Sequence, residues 1–234
     1  MLAATFRFAA RNRVMSYRAL SSLSSNPSIK VLDNPNSPFT HVLSYLETEP
    51  PSERLAIGTT AANPPTPQSF TENPEFISIL NEVVSEYGHE DDDLVSQARA
   101  FASPGAFNLG AGGGVFFSAA KRPNKRLRRQ GGSGAGESSA SDASAEPKPA
   151  GTGRGGWVHL SDRRNPPDFG RIAWPEDILG SVEVDDTGTI IGKVQPSGTY
   201  RILTNAGILG LSPFLQGKLV DRLRQEEAKD RRRG

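Results

Sequence analysis

The densest group of residues that could do chemistry lies between Asp162 and Arg171, where Asp162, Arg163, Arg164, Asp168 and Arg171 flank the rigid pair Pro166-Pro167. Arginine forks grip carboxylates or phosphates bidentately, and a diproline loop fixes the geometry of such a grip. Two readings follow. Either the loop holds an external anion or a partner's acidic group, or its charges pair with one another and pin the loop to the fold. Glu176 and Asp177 add two acids, but adjacent residues at a strand entrance point in different directions and make a poor acid/base pair.

Elsewhere the chemistry thins out. His41, His89 and His159 stand apart, none with a second histidine three or four residues away, so no histidine pair at helical spacing marks a metal site. The run Glu90-Asp91-Asp92-Asp93 lacks the alternation and turn glycine of a calcium loop, and suits the start of a helix, where carboxylates complement the dipole. Gly110-Ala111-Gly112-Gly113-Gly114 is glycine-rich but has neither a strong strand before it nor the Lys-Ser or Lys-Thr pair of a phosphate loop. The chain has no cysteine, which removes thiol catalysis, disulfides and cysteine-ligated metals. No cofactor is expected.

Charge is local. The formal net charge is +1, so no global field favours nucleic acid or an anionic membrane. Lys121, Arg122, Lys125, Arg126, Arg128 and Arg129 nevertheless concentrate six bases in nine residues, and Arg231-Arg232-Arg233 stand just before Gly234. An RNA-contacting arm is one reading of the 121–129 cluster. With no aromatic residue interleaved to stack on bases, a solvated tether is the more economical one.

These residues need elements to hold them. Asn73 is a natural N-cap, Pro74 suits the first helical position, and Phe76, Leu80, Val83, Val84 and Tyr87 recur at helical spacing up to Gly88. A second helix is expected from about Asp92 to Ala102, which makes residues 73–103 a helical hairpin. From Trp157 the spacing predicts a strand at 157–160, strands at 178–184 and 189–194 joined by Asp185-Asp186-Thr187-Gly188, and a further strand at 199–203 before the turn Asn205-Ala206-Gly207. Ser212 as N-cap and Pro213 then open a terminal helix with Leu215, Leu219 and Leu223 on one face. The expected fold class is α+β: a small antiparallel sheet capped by a C-terminal helix, over residues 157–228, with a basic tail at 229–234.

The remaining segments read as connections. Nine prolines between Asn26 and Pro74 restrict the backbone, so 31–72 is expected to be a Pro-rich disordered segment with at most a short helical piece near 40–49. Residues 104–156 read as a linker, because 20 of the 27 positions from Gln130 to Gly156 are Gly, Ser, Ala or Pro.

Residues 1–30 contain no Asp or Glu, while Arg7, Arg11, Arg13 and Arg18 are spread among apolar residues and followed by serines. This is the pattern of a mitochondrial presequence, and the arginines interrupt every window long enough for a secretory signal. Arg18-Ala19-Leu20-Ser21 also resembles the cleavage pattern of the mitochondrial processing peptidase, an arginine three residues before the cut and a small residue after it, so cleavage is expected near Ser21. No stretch approaches the roughly 20 apolar residues of a membrane span.

The blocks Trp157 to Ile172, Pro175 to Val182 and Tyr200 to Leu209 resemble a group of fungal mitochondrial proteins of unassigned function, a likeness covering about the last 75 residues. The resemblance implies a mitochondrial address and no reaction. Taken together, the sequence favours a non-enzymatic mitochondrial accessory or assembly factor, in the matrix or at the inner-membrane periphery, that docks on another mitochondrial protein or complex through its C-terminal module. The alternatives are an RNA- or mitoribosome-associated protein using residues 121–129, and a small enzyme using the Asp162–Arg171 loop.

Overall fold

A computed structural model of the chain describes residues 19–102 and 155–233, apart from 35, 38, 49, 169 and 170. The arginines of the expected presequence, the glycine run and the 121–129 basic cluster lie outside the described residues. The described chain is α+β, as expected, with antiparallel sheets and three α-helices. It divides into two compact units, one comprising Met1–Leu80, Ile202–Ile208 and Leu219–Gly234, the other Asn81–Arg201 and Leu209–Lys218. The residues expected as a compact module at 157–228 are divided between the two units.

The first unit overturns the disordered reading of 31–72. Strands β1 (Ala19–Ser22), β2 (Lys30–Asp33), β3 (His41–Ser44), β4 (Gly58–Thr60) and β5 (Phe70–Glu72) form one antiparallel sheet in sequence order. The described prolines do what prolines can do in a sheet: Pro50 and Pro51 fall before β4, and Pro64, Pro65 and Pro67 between β4 and β5. The strands they leave free have three or four residues each, too short for a period to declare itself. The expected helical piece near 40–49 is strand β3.

Val31 and Leu32 are both buried, as are Val42 and Leu43. Successive strand residues face opposite sides, so both faces of this sheet are covered at its centre. Leu32, Val42 and Ala56 make one cluster, and Phe76 stacks on Tyr45 with ring centroids 6.4 Å apart.

Helix α1 (Pro74–Tyr87) starts where expected. Asn73 accepts from the Glu75 amide at 3.1 Å, and its Nδ2 donates to the carbonyls of Glu53, Arg54 and Ala56. The cap therefore also stitches down the loop before β4. Arg54 donates from Nε and Nη2 to Asp230 at 2.9 and 2.7 Å. Asp230 is helical, because helix α3 (Pro213–Arg233) runs on through the residues expected to form a free basic tail. Glu227 pairs with Arg231 at 3.4 Å, which helps to carry the helix through them.

In the second unit, β6 (Gly156–Ser161), β7 (Ile178–Val184) and β8 (Ile190–Pro196) form a three-stranded sheet in that order. The β7–β8 turn is the expected one. Asp185 Oδ1 accepts from the amides of Thr187 and Thr189 at 2.8 Å each. Gly188 takes a φ of +80°, where only glycine is unstrained, and a side chain there would meet the Ala98 carbonyl. Ala98 belongs to helix α2 (Asp92–Ala102), whose Phe101 ring fills the space a side chain at Gly156 would need. Helix α2 thus lies closely against β6.

The strand expected at 199–203 does not join this sheet. The Tyr200 hydroxyl and the Arg201 amide bond instead to the loop before β7. In the first unit, the Ile202 amide donates to Glu72 Oε1 at 2.9 Å. With these groups committed elsewhere, only Leu203–Thr204 (β9) remains extended, pairing with Gly207–Ile208 (β10) across the expected turn.

Candidate interaction site

The loop of the second unit between β6 and β7 carries all five residues singled out as a candidate interaction cluster. A buried knot sits at its base. Asp162 follows β6, and its amide donates to the Asp177 carbonyl at 2.8 Å, which closes the loop. Its carboxylate accepts from the amides of Arg164 and Gly210 at 2.8 and 2.9 Å and from the Tyr200 hydroxyl at 2.7 Å. Arg164 Nε donates to Asp177 at 2.8 Å, and its Nη2 to the Glu176 carbonyl at 2.8 Å. Asn165 Nδ2 donates to the other Asp177 oxygen at 3.0 Å, and the Arg164 guanidinium lies 5.3 Å from the centre of the Tyr200 ring.

The side chains of Arg164, Asp162 and Asp177 are 3%, 0% and 1% exposed. A buried charge must be paired and bonded, and these satisfy one another within the loop. Burial pushes the Asp162 carboxyl above its ordinary value, with the Arg164 charge and the hydrogen bonds from Arg164, Tyr200 and Gly210 opposing it. Of the two readings of the cluster, self-pairing is the one this geometry displays at Asp162 and Arg164.

Arg163 turns outward and grips Asp93 of helix α2 with a two-pronged contact, Nε to Oδ2 at 2.6 Å and Nη2 to Oδ1 at 3.0 Å. This contact is partly exposed, so it positions the loop more than it stabilises the fold. Asp168 and Arg171 have exposed side chains, with the Arg171 amide donating to the Asp168 carbonyl at 2.9 Å. The structure therefore brings Asp162 and Arg164 together, sends Arg163 to α2, and leaves Asp168 and Arg171 at the surface.

The acids at 90–93 divide their work as helix-start residues. Asp91, 1% exposed, accepts from the Asp93 amide at 3.0 Å as N-cap of α2 and receives the hydroxyl of Ser212, itself the N-cap of α3. His159 faces Ser181 on the neighbouring strand, Nδ1 to Oγ 2.7 Å, and burial lowers its pKa. Among the described residues no three metal-ligating side chains come together. No helix there is long and apolar enough to cross a membrane.

Sequence reasoning passed over Trp174. Its side chain is 70% exposed, while Ala173 beside it is buried. The backbone beneath is fixed: the Asp177 amide donates to the Trp174 carbonyl at 2.8 Å, Thr199 Oγ1 to the Pro175 carbonyl at 2.8 Å, and the Arg201 amide to the Glu176 carbonyl at 3.1 Å. Pro175 removes a further degree of freedom. The only sequence signal was a tryptophan followed by Pro-Glu-Asp, a rigid 3₁₀ start, in place of a strand position that would have buried it. A separate shallow cleft of about 310 Å³ in the first unit runs between Pro64–Gln68 and the β9–β10 hairpin, and it contains no ionisable side chain.

Compared with known proteins, the chain matches no family model, no curated protein and no solved structure.

Proposed function

We propose that this chain is a non-enzymatic interaction protein of the mitochondrion, an accessory or assembly factor that docks on another protein through the surface around Trp174. The observation that carries the reading is a large aromatic side chain held out to solvent on an anchored backbone. Exposed tryptophan on a rigid support gives contact area at little ordering cost, and tryptophan is enriched among residues that dominate binding energy. Beneath it, Asp162, Arg164 and Asp177 are fully engaged with one another, so the loop's charges support the presentation of Trp174 more readily than they would handle a substrate. Asp168 and Arg171 supply exposed polar groups in the same loop, as a polar rim would.

The compartment rests on the acid-free, arginine-bearing N-terminal segment, and the matrix or inner-membrane periphery is the placement proposed. The test is affinity purification of the tagged full-length chain from isolated mitochondria. A defined co-purifying protein complex is expected, and recovery of the chain alone would defeat the reading. Recovery of RNA, with retention falling steeply as salt is raised, would favour the basic cluster at 121–129 instead.

A further inference from the structure

We infer that the chain is processed by a single cut between Leu20 and Ser21, at the limit the first unit sets on what can be removed. The inference rests on the mitochondrial reading above and sharpens it. Two independent features meet at this bond. In the sequence, Arg18 stands three residues before the small residue Ser21. In the sheet, the pairing of β1 with β2 slips between Ala19 and Ser21, which leaves Leu20 out of the ladder.

On the C-terminal side of the bond the chain is indispensable. Ser21 pairs with Val31 and Ser22 with Lys30. Leu23 is buried and donates its amide to the Ile29 carbonyl at 3.1 Å, Asn26 and Ile29 close the intervening turn, and Ile29 is fully buried. A cut beyond Leu23 would strip core side chains and bare the edge of β2, inviting non-native pairing. On the N-terminal side, the one pairing given up among the described residues is Ala19 with Leu32, at the outer edge of the sheet and across the irregularity. The full segment 1–30 is therefore not the removable element; residues 1–20 are.

The chemistry is hydrolysis. Water adds across the Leu20–Ser21 amide, Leu20 becomes a terminal carboxylate and Ser21 a terminal amine, with a processing peptidase as catalyst.

Full-length chain made by translation in vitro is incubated with mitochondrial matrix extract, and the product's N-terminus is sequenced. Ser21 is expected, and Arg18→Ala should abolish the cut. An N-terminus at any other residue, or no cut at all, overturns the proposal. Sequencing the protein from cells separates the site from the address. Cleavage at Ser21 in extract by a chain that fractionates outside mitochondria in cells would uphold the site while the compartment reading falls.

Discussion

Asp91 and Ser212, 121 residues apart in the chain, meet in a buried hydrogen bond through which one carboxylate serves the starts of two helices. One Asp91 oxygen caps α2 through the Asp93 amide, and the other receives the Ser212 hydroxyl, whose oxygen in turn accepts from the Leu215 amide of α3 at 3.1 Å. Both residues are buried, so neither can turn to water for a replacement partner. Asp91→Ala and Ser212→Ala should each lower stability by about 1–3 kcal/mol. Because they share one bond, the double variant should lose less than the sum, with a coupling of at least about 0.5 kcal/mol in urea unfolding. Strict additivity would show that the two caps act separately.

Arg164 is the cation between two buried acids. Replacing it with Met leaves Asp162 and Asp177 without their partner, and unfolding free energy should fall by about 3–5 kcal/mol. Arg164→Lys should also lose stability, because an ammonium cannot reach both Asp177 and the Glu176 carbonyl as the guanidinium fork does. A loss below about 1 kcal/mol for the Met variant would mean that the loop is held by something other than this knot.

His159 gives the fold a signed pH dependence. Its pKa is lowered by burial, so the unfolded chain binds the proton more readily than the folded one. Above about 6.5, the ordinary histidine value, neither state is protonated and there is no penalty. As pH falls below that value the unfolded state gains the proton first, and stability declines until the folded pKa is passed. His159→Gln should flatten the dependence of the melting temperature between pH 7 and 5. An unchanged slope would assign the effect to other groups.

Ile29 lies at the end of the turn that joins β1 to β2 and is fully buried. Ile29→Ala in the full-length chain should cost about 2–5 kcal/mol. A negligible effect would return residues 21–30 to the removable segment.

How much of this was written in the sequence depends on element length and on who supplies the partner. Helix α1 was legible because Asn73, Pro74 and the Phe76, Leu80 and Val84 spacing agree over about three turns, and the β7–β8 turn was legible because Asp185 and Gly188 are local determinants. The five-stranded sheet was not. Its strands are too short to show alternation, their buried pairs such as Val31 and Leu32 face two covered sides, and the prolines that suggested disorder turn out to mark the connections. At the site, Asp162, Arg164 and the proline pair were visible together, whereas Tyr200 and Gly210 are brought to Asp162 only by the fold. For Trp174 the following Pro-Glu-Asp spoke only against a strand position, and its exposure is a property of tertiary structure.

The central claim is that Trp174 is a docking anchor, and it is tested most directly by purifying tagged Trp174→Ala beside the unaltered protein from isolated mitochondria, with melting curves of both. A side chain 70% exposed contributes little to the fold, so the melting temperatures should agree closely while the co-purifying partner is lost from the variant. Full retention of the partner by a normally folded Trp174→Ala chain would contradict the account.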